Sequence, residues 1–88
     1  MNLVLHEAVD NEKRLLMLLT PRELEVLETI SWGLTNAEAA RRLHLSVHAI
    51  KFHLAAIYRR LGVTNRTEAA VTYLRSTNVD LGTQLKAD

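Results

Sequence analysis

Eighty-eight residues suffice for one small domain with a thin core, and the absence of cysteine excludes disulfides and thiolate metal sites. Apolar residues make up 48% and charged residues 24%, the balance of a folded chain rather than a disordered one. The net charge of +1 says little as a sum, but residues 39–67 hold six of the eleven Lys and Arg and none of the ten acids, which suggests a polyanionic partner; a solvated basic face without a partner is the plain alternative.

Residues 1–19 read as an N-terminal arm or an extra helix, because apolar residues between His6 and Leu19 bunch instead of spacing evenly. Their longest apolar run, Leu15-Leu16-Met17-Leu18-Leu19, is five residues, against about 20 needed to cross a bilayer. No cationic stretch precedes an apolar one, so no signal peptide is expected and a cytoplasmic setting without membrane contact follows by default. Nineteen residues ahead of Thr20 are too few for a second domain, so the chain reads as a stand-alone protein or a piece of a longer one.

The segment 20–76 reads as an all-α domain of four helices. Thr20-Pro21-Arg22-Glu23 opens the first: threonine caps, proline fits the first helical position, and Glu23 completes a capping box. Leu24, Leu27 and Ile30 then face one way, and Gly33 with Leu34 behind it ends the helix. Thr35-Asn36-Ala37-Glu38 repeats the capping box and opens a short helix to about Leu43, with Ala39, Ala40 and Leu43 inward. His44 falls where a tight turn is needed, a place for left-handed backbone.

Ser46 caps the third helix. Ile50, Leu54, Ile57 and Leu61 form its buried stripe, and Gly62 ends it. The opposite face presents His48, Lys51, Phe52, Ala55 and Arg59 on a rod about 22 Å long, which suits the DNA major groove. Asn65-Arg66-Thr67-Glu68 is a third capping box. It opens a fourth helix to about Arg75, with Ala70, Val71 and Leu74 apolar, and residues 77–88 read as a loose tail. The second and third helices are joined by about three residues, the helix-turn-helix arrangement in which the latter enters the major groove.

The stretch LTPRELEVLETISWGLTNAEAARRLHLSVHAIKFHLAAIYRRLGVTNRTEAAV, residues 19–71, resembles the LuxR/GerE-type DNA-binding domain. The parts that carry the likeness are Leu19-Thr20-Pro21-Arg22-Glu23, Gly33-Leu34-Thr35-Asn36 with Glu38 and Ala40, Ile50-Lys51 with His53 and Ile57, Leu61-Gly62-Val63, and Arg66 with Glu68-Ala69-Ala70. The resemblance implies four helices, a third helix that reads duplex DNA at inverted-repeat promoter sites, a fourth that forms a homodimer, and transcriptional regulation. Where many members have threonine before the lysine pair and an aliphatic after the second-helix glutamate, this chain has Ala49 and Ala39; the latter thins the core, by about 1–2 kcal/mol if uncompensated. Ala55 replaces a basic or polar residue one turn after the lysine.

The expected base contacts are His48, Lys51, Phe52 and Ala55. Lys51 would reach guanine, and Phe52 either a thymine methyl or a neighbouring chain or the arm. The expected phosphate contacts are Thr35 and Asn36, at a helix N-terminus, with His53, Arg59 and Arg60. Val71, Tyr73 and Leu74 form the expected dimer face. Arg66 is expected to pair with a first-helix carboxylate such as Glu23, and Trp32 to pack on the arm.

No enzyme, cofactor or metal is indicated: Ser46 separates His44 from His48, no acid lies near them, and no phosphate loop or nucleophile–base pair appears. A sigma-factor region-four domain shares the helix-turn-helix, but the extension from Gly62-Val63 to Ala70-Val71 speaks against it. The rival from another class is a LuxR-like domain turned to protein interaction, binding a regulator or RNA polymerase.

Overall fold

The computed structural model describes the backbone of residues 11–87 and the side chains of residues 11–77. Over these residues the chain is helical throughout: α1 over 11–16, α2 at Pro21–Ser31, α3 at Asn36–Leu43, α4 at Val47–Leu61 and α5 at Arg66–Ala87. Of the proposed His6–Leu19 helix, residues 11–16 are helical and 17–19 form a turn, while 6–10 lie outside the described residues.

The helices α2 to α5 start where their caps stand. The Thr20 hydroxyl accepts from Glu23 N at 3.1 Å and Thr20 N donates to Glu23 Oε1 at 2.9 Å. Thr35 and Glu38 repeat both bonds at 3.1 and 2.8 Å. Ser46 accepts from Ala49 N at 3.0 Å. Asn65 caps α5 by accepting from Glu68 N at 2.9 Å, but the return arm goes elsewhere: Glu68 accepts from Thr64 N at 2.8 Å, one residue before the expected partner. His44 does adopt left-handed backbone, φ 58° and ψ 43°, and Gly62 does so at φ 71°. The next amide closes the turn in both places, Leu45 N to Ala40 O at 2.8 Å and Val63 N to Tyr58 O at 3.0 Å.

α2 packs on α3, α4 and α5, and α4 bridges α3 and α5. At the centre Val26, Leu27, Ala39, Ile50, Ile57 and Ala69 are fully buried, ringed by Leu19, Ile30, Ala40, Leu54 and Leu61. The stripe on α4 is as expected. On α2, Leu27 and Ile30 are buried as expected, but Leu24 is 37% exposed while Val26 and Glu23 are buried. Glu23 tolerates burial because it is held by Thr20 N and by Arg60 Nε at 3.3 Å.

The expected length of the fourth helix needs correction: the helix continues past Arg75 to Ala87 in place of the loose tail. No proline intervenes, and Gly82 alone costs about 1 kcal/mol, too little to stop a helix. The buried face of α5 is Ala69, Thr72 and Ser76, with Ala70 and Leu74 only half-buried and Val71 exposed. The two hydroxyls are satisfied within their own helix, Thr72 to Glu68 O at 2.9 Å and Ser76 to Tyr73 O at 2.7 Å, so they bury without loss. At the other end, Leu15 and Leu16 pack against the core, and Glu12 Oε2 meets Arg75 Nε at 3.3 Å, tying α1 to α5.

Candidate nucleic-acid interface

α3 and α4 are joined by His44-Leu45-Ser46. The left-handed turn at His44 lets α4 leave at an angle, and the buried stripe of α4 fixes its rotation. His48, Lys51, Phe52, Ala55 and Arg59 are consequently exposed together on one side, and no carboxylate occurs on this helix. Phe52 is 69% exposed, and its ring meets His53 edge-on at 6.1 Å between centroids. His53 is half-buried at the flank of this face.

Arg59 and Arg60 part company. Arg59 stays exposed beside the face. Arg60 turns back to α2, where it pairs with Glu23 and donates to Leu18 O at 3.5 Å. Arg60 is therefore engaged at the surface by Glu23 and Leu18 O, while its side chain stays 46% exposed.

At the start of α3 the Thr35 amide is occupied by Glu38, while its hydroxyl accepts from Glu38 N and keeps a hydrogen to donate. The Thr35 backbone bond, with the Thr35 side chain next, holds the Glu38 carboxyl below its usual range, favouring its anion at this exposed edge. Asn36 is half-buried and its Oδ1 accepts from Arg66 Nη1 at 2.6 Å; Arg66 Nη2 donates to Leu34 O. Arg66 thus binds the α2–α3 connection, not Glu23 as expected. The missed signal was its place at the first residue of α5, where a cation opposes the helix dipole.

The expected dimer residues separate as well. Val71 is 43% exposed and Leu74 half-buried. Tyr73 points into the chain: it packs on the core and donates its hydroxyl to Glu28 Oε2 at 2.8 Å. Burial, then the bond to Glu28, pushes its phenol up to about 12. Trp32 is half-exposed, and the Arg42 guanidinium lies over its ring at 4.9 Å; the arm on which it was expected to pack lies partly outside the described residues.

Among the described residues, no helix is long and apolar enough to cross a membrane, and no three His, Asp or Glu gather as a metal site.

The family model described as "Bacterial regulatory proteins, luxR family" matches residues 17–73. Transcriptional regulatory protein ComA of Bacillus subtilis (strain 168) is 45% identical over 53 residues, covering 60% of this chain and 25% of that protein. LnrK, a transcriptional regulatory protein of the same organism, is 40% identical over 57 residues, 65% of this chain and 26% of its own. The nitrate/nitrite response regulator protein NarP of Escherichia coli (strain K12) is 37% identical over 57 residues, again 65% and 26%. The chain therefore spans about a quarter of the length of these curated relatives. No solved structure matches it.

Proposed function

The chain belongs to the luxR family of bacterial regulatory proteins, and from that membership we propose that it binds duplex DNA by sequence and regulates transcription, with α4 as its recognition helix. The observation that carries this is the outward face of α4, where His48, Lys51, Phe52, Ala55 and Arg59 are exposed on a helix free of acids. A helix fits the major groove, and a carboxylate on that face would repel phosphate. Lys51 donates to guanine O6 and N7, Phe52 covers a thymine methyl, His48 reaches base edges from the first turn, and Ala55 allows close approach. Thr35, Asn36, His53 and Arg59 fix the register on the backbone. Val71 and Leu74 supply the face on which two copies pair over an inverted repeat.

Selection of binding sites from a random duplex pool tests this. A shared sequence should emerge, and log affinity should fall with log salt by about 0.9 for each phosphate neutralised. Duplexes whose mobility the protein leaves unchanged at low salt would sink the proposal. A second reading has one observation in its favour: Phe52, at 69% exposure, is a large apolar ring that a protein partner such as RNA polymerase could cover. A salt-insensitive complex with such a partner, and none with DNA, would select it.

A further inference from the structure

We infer that Arg66 is a positioning residue for Asn36, fixing the amide of that side chain so that Nδ2, not Oδ1, meets the DNA backbone. This rests on the DNA-binding reading and adds to it a residue that does not itself touch DNA.

A guanidinium only donates, so the Asn36 atom at 2.6 Å from Arg66 Nη1 must be the oxygen. The Nδ2 group is then directed away from Arg66, and no described residue accepts from it. The direction decides the sign of the interaction. An Nδ2 group donates to a phosphate oxygen, whereas Oδ1 in the same place would set one acceptor against another. A free Asn side chain would sample both.

The placement of Arg66 supports a dedicated role. At the first residue of α5 its charge opposes the helix dipole. No described carboxylate bridges it: the ion pairs are Arg22–Glu25, Arg60–Glu23 and Arg75–Glu12. Its donors go instead to Leu34 O and Asn36 Oδ1, on the connection into α3 and its first residue. The side chain is half-buried. Arg66 thereby links α5 to the α2–α3 connection at the edge proposed to meet phosphate.

The test uses the whole 88-residue chain and a duplex selected by the wild-type protein. Affinity is measured across a salt series for wild type, Asn36→Ala, Arg66→Met and the double variant, with urea unfolding of each. Each single change should weaken binding about fivefold, the worth of one hydrogen bond, and the double no more than either. The salt slope should stay unchanged, because the lost contact to phosphate is neutral. A slope reduced by about 0.9 in Arg66→Met would place its charge directly on a phosphate and overturn the inference. So would losses that multiply to about 25-fold in the double variant. Should Arg66→Met fail to fold, the wild type decides: its Asn36 side-chain amide resonances should shift on adding duplex, and unmoved resonances overturn the inference. A wild type that binds no duplex overturns the DNA-binding proposal and this inference with it; one that binds while the losses multiply overturns this inference alone.

Discussion

Lys51 and Arg60 are both cations on α4, yet their neighbours give them opposite jobs. Lys51 is exposed and unpaired among the described residues, so truncating it leaves the fold indifferent. Arg60 holds Glu23, whose side chain is only 6% exposed, and caps the Leu18 carbonyl. Removing Arg60 strips a buried carboxylate of its ion partner. Lys51→Ala should therefore weaken duplex binding by about fivefold to 150-fold, 1–3 kcal/mol, with unfolding in urea changed by less than about 0.5 kcal/mol. Arg60→Ala should cost about 1–3 kcal/mol of stability, with the salt slope of DNA binding unaltered. A slope that drops by about 0.9 in Arg60→Ala, with stability intact, would restore the phosphate role first expected for it. The sequence could not separate the two, because what turns Arg60 toward α2 is Glu23, a residue 37 positions earlier that reads as half of a local capping box. His44 was legible for the opposite reason: its backbone demand is local, set by two caps standing too close for an ordinary turn.

At the level of helices, caps and stripes were readable and faces were not. Thr20, Thr35, Ser46 and Asn65 each accept from the amide three residues on, as their spacing implies. A search for apolar residues gives no buried face for α5, because Thr72 and Ser76 line it with hydroxyls already bonded to their own helix. The same bias hid Tyr73, which pins α5 to α2 through Glu28. This contact carries a pH dependence. The phenol is raised from 10.0 to about 12, so its folded form favours the protonated state. A group with a raised folded value contributes stability that is complete below its unfolded value and is lost as pH climbs through the folded one. Thermal unfolding followed between pH 9 and 12.5 should thus show a steeper decline above pH 10 for wild type than for Tyr73→Phe. Parallel curves for the two proteins would mean that the Tyr73–Glu28 bond does not couple the helices.

For the whole molecule, the proposed function raises the question of how so small a surface would select a site. One recognition helix would touch only a few base pairs, and a handful of contacts at about 1–3 kcal/mol each discriminates weakly within a genome. Pairing two copies would double the sequence read, and the face proposed for it lies on α5, where Val71 is 43% exposed beside half-buried Leu74. With Tyr73 held by Glu28, that surface is narrower than the three residues expected from the sequence. A small apolar contact of this kind suits pairing on DNA rather than a stable dimer in solution, since the duplex itself aligns the partners. The proposed dimer would set its two α4 helices about 34 Å apart, one turn of DNA. Spacing then becomes a measurable requirement. Inserting about 5 base pairs between the half-sites of a selected operator turns one to the opposite face and should abolish cooperative binding, while about 10 should restore part of it. Val71→Asp places two like charges against each other at the same face, so it should remove cooperativity on the intact operator and leave affinity for a single half-site unchanged. Affinity indifferent to spacing, with Val71→Asp behaving as wild type, would mean that each copy binds alone and that the exposed edge of α5 serves another purpose.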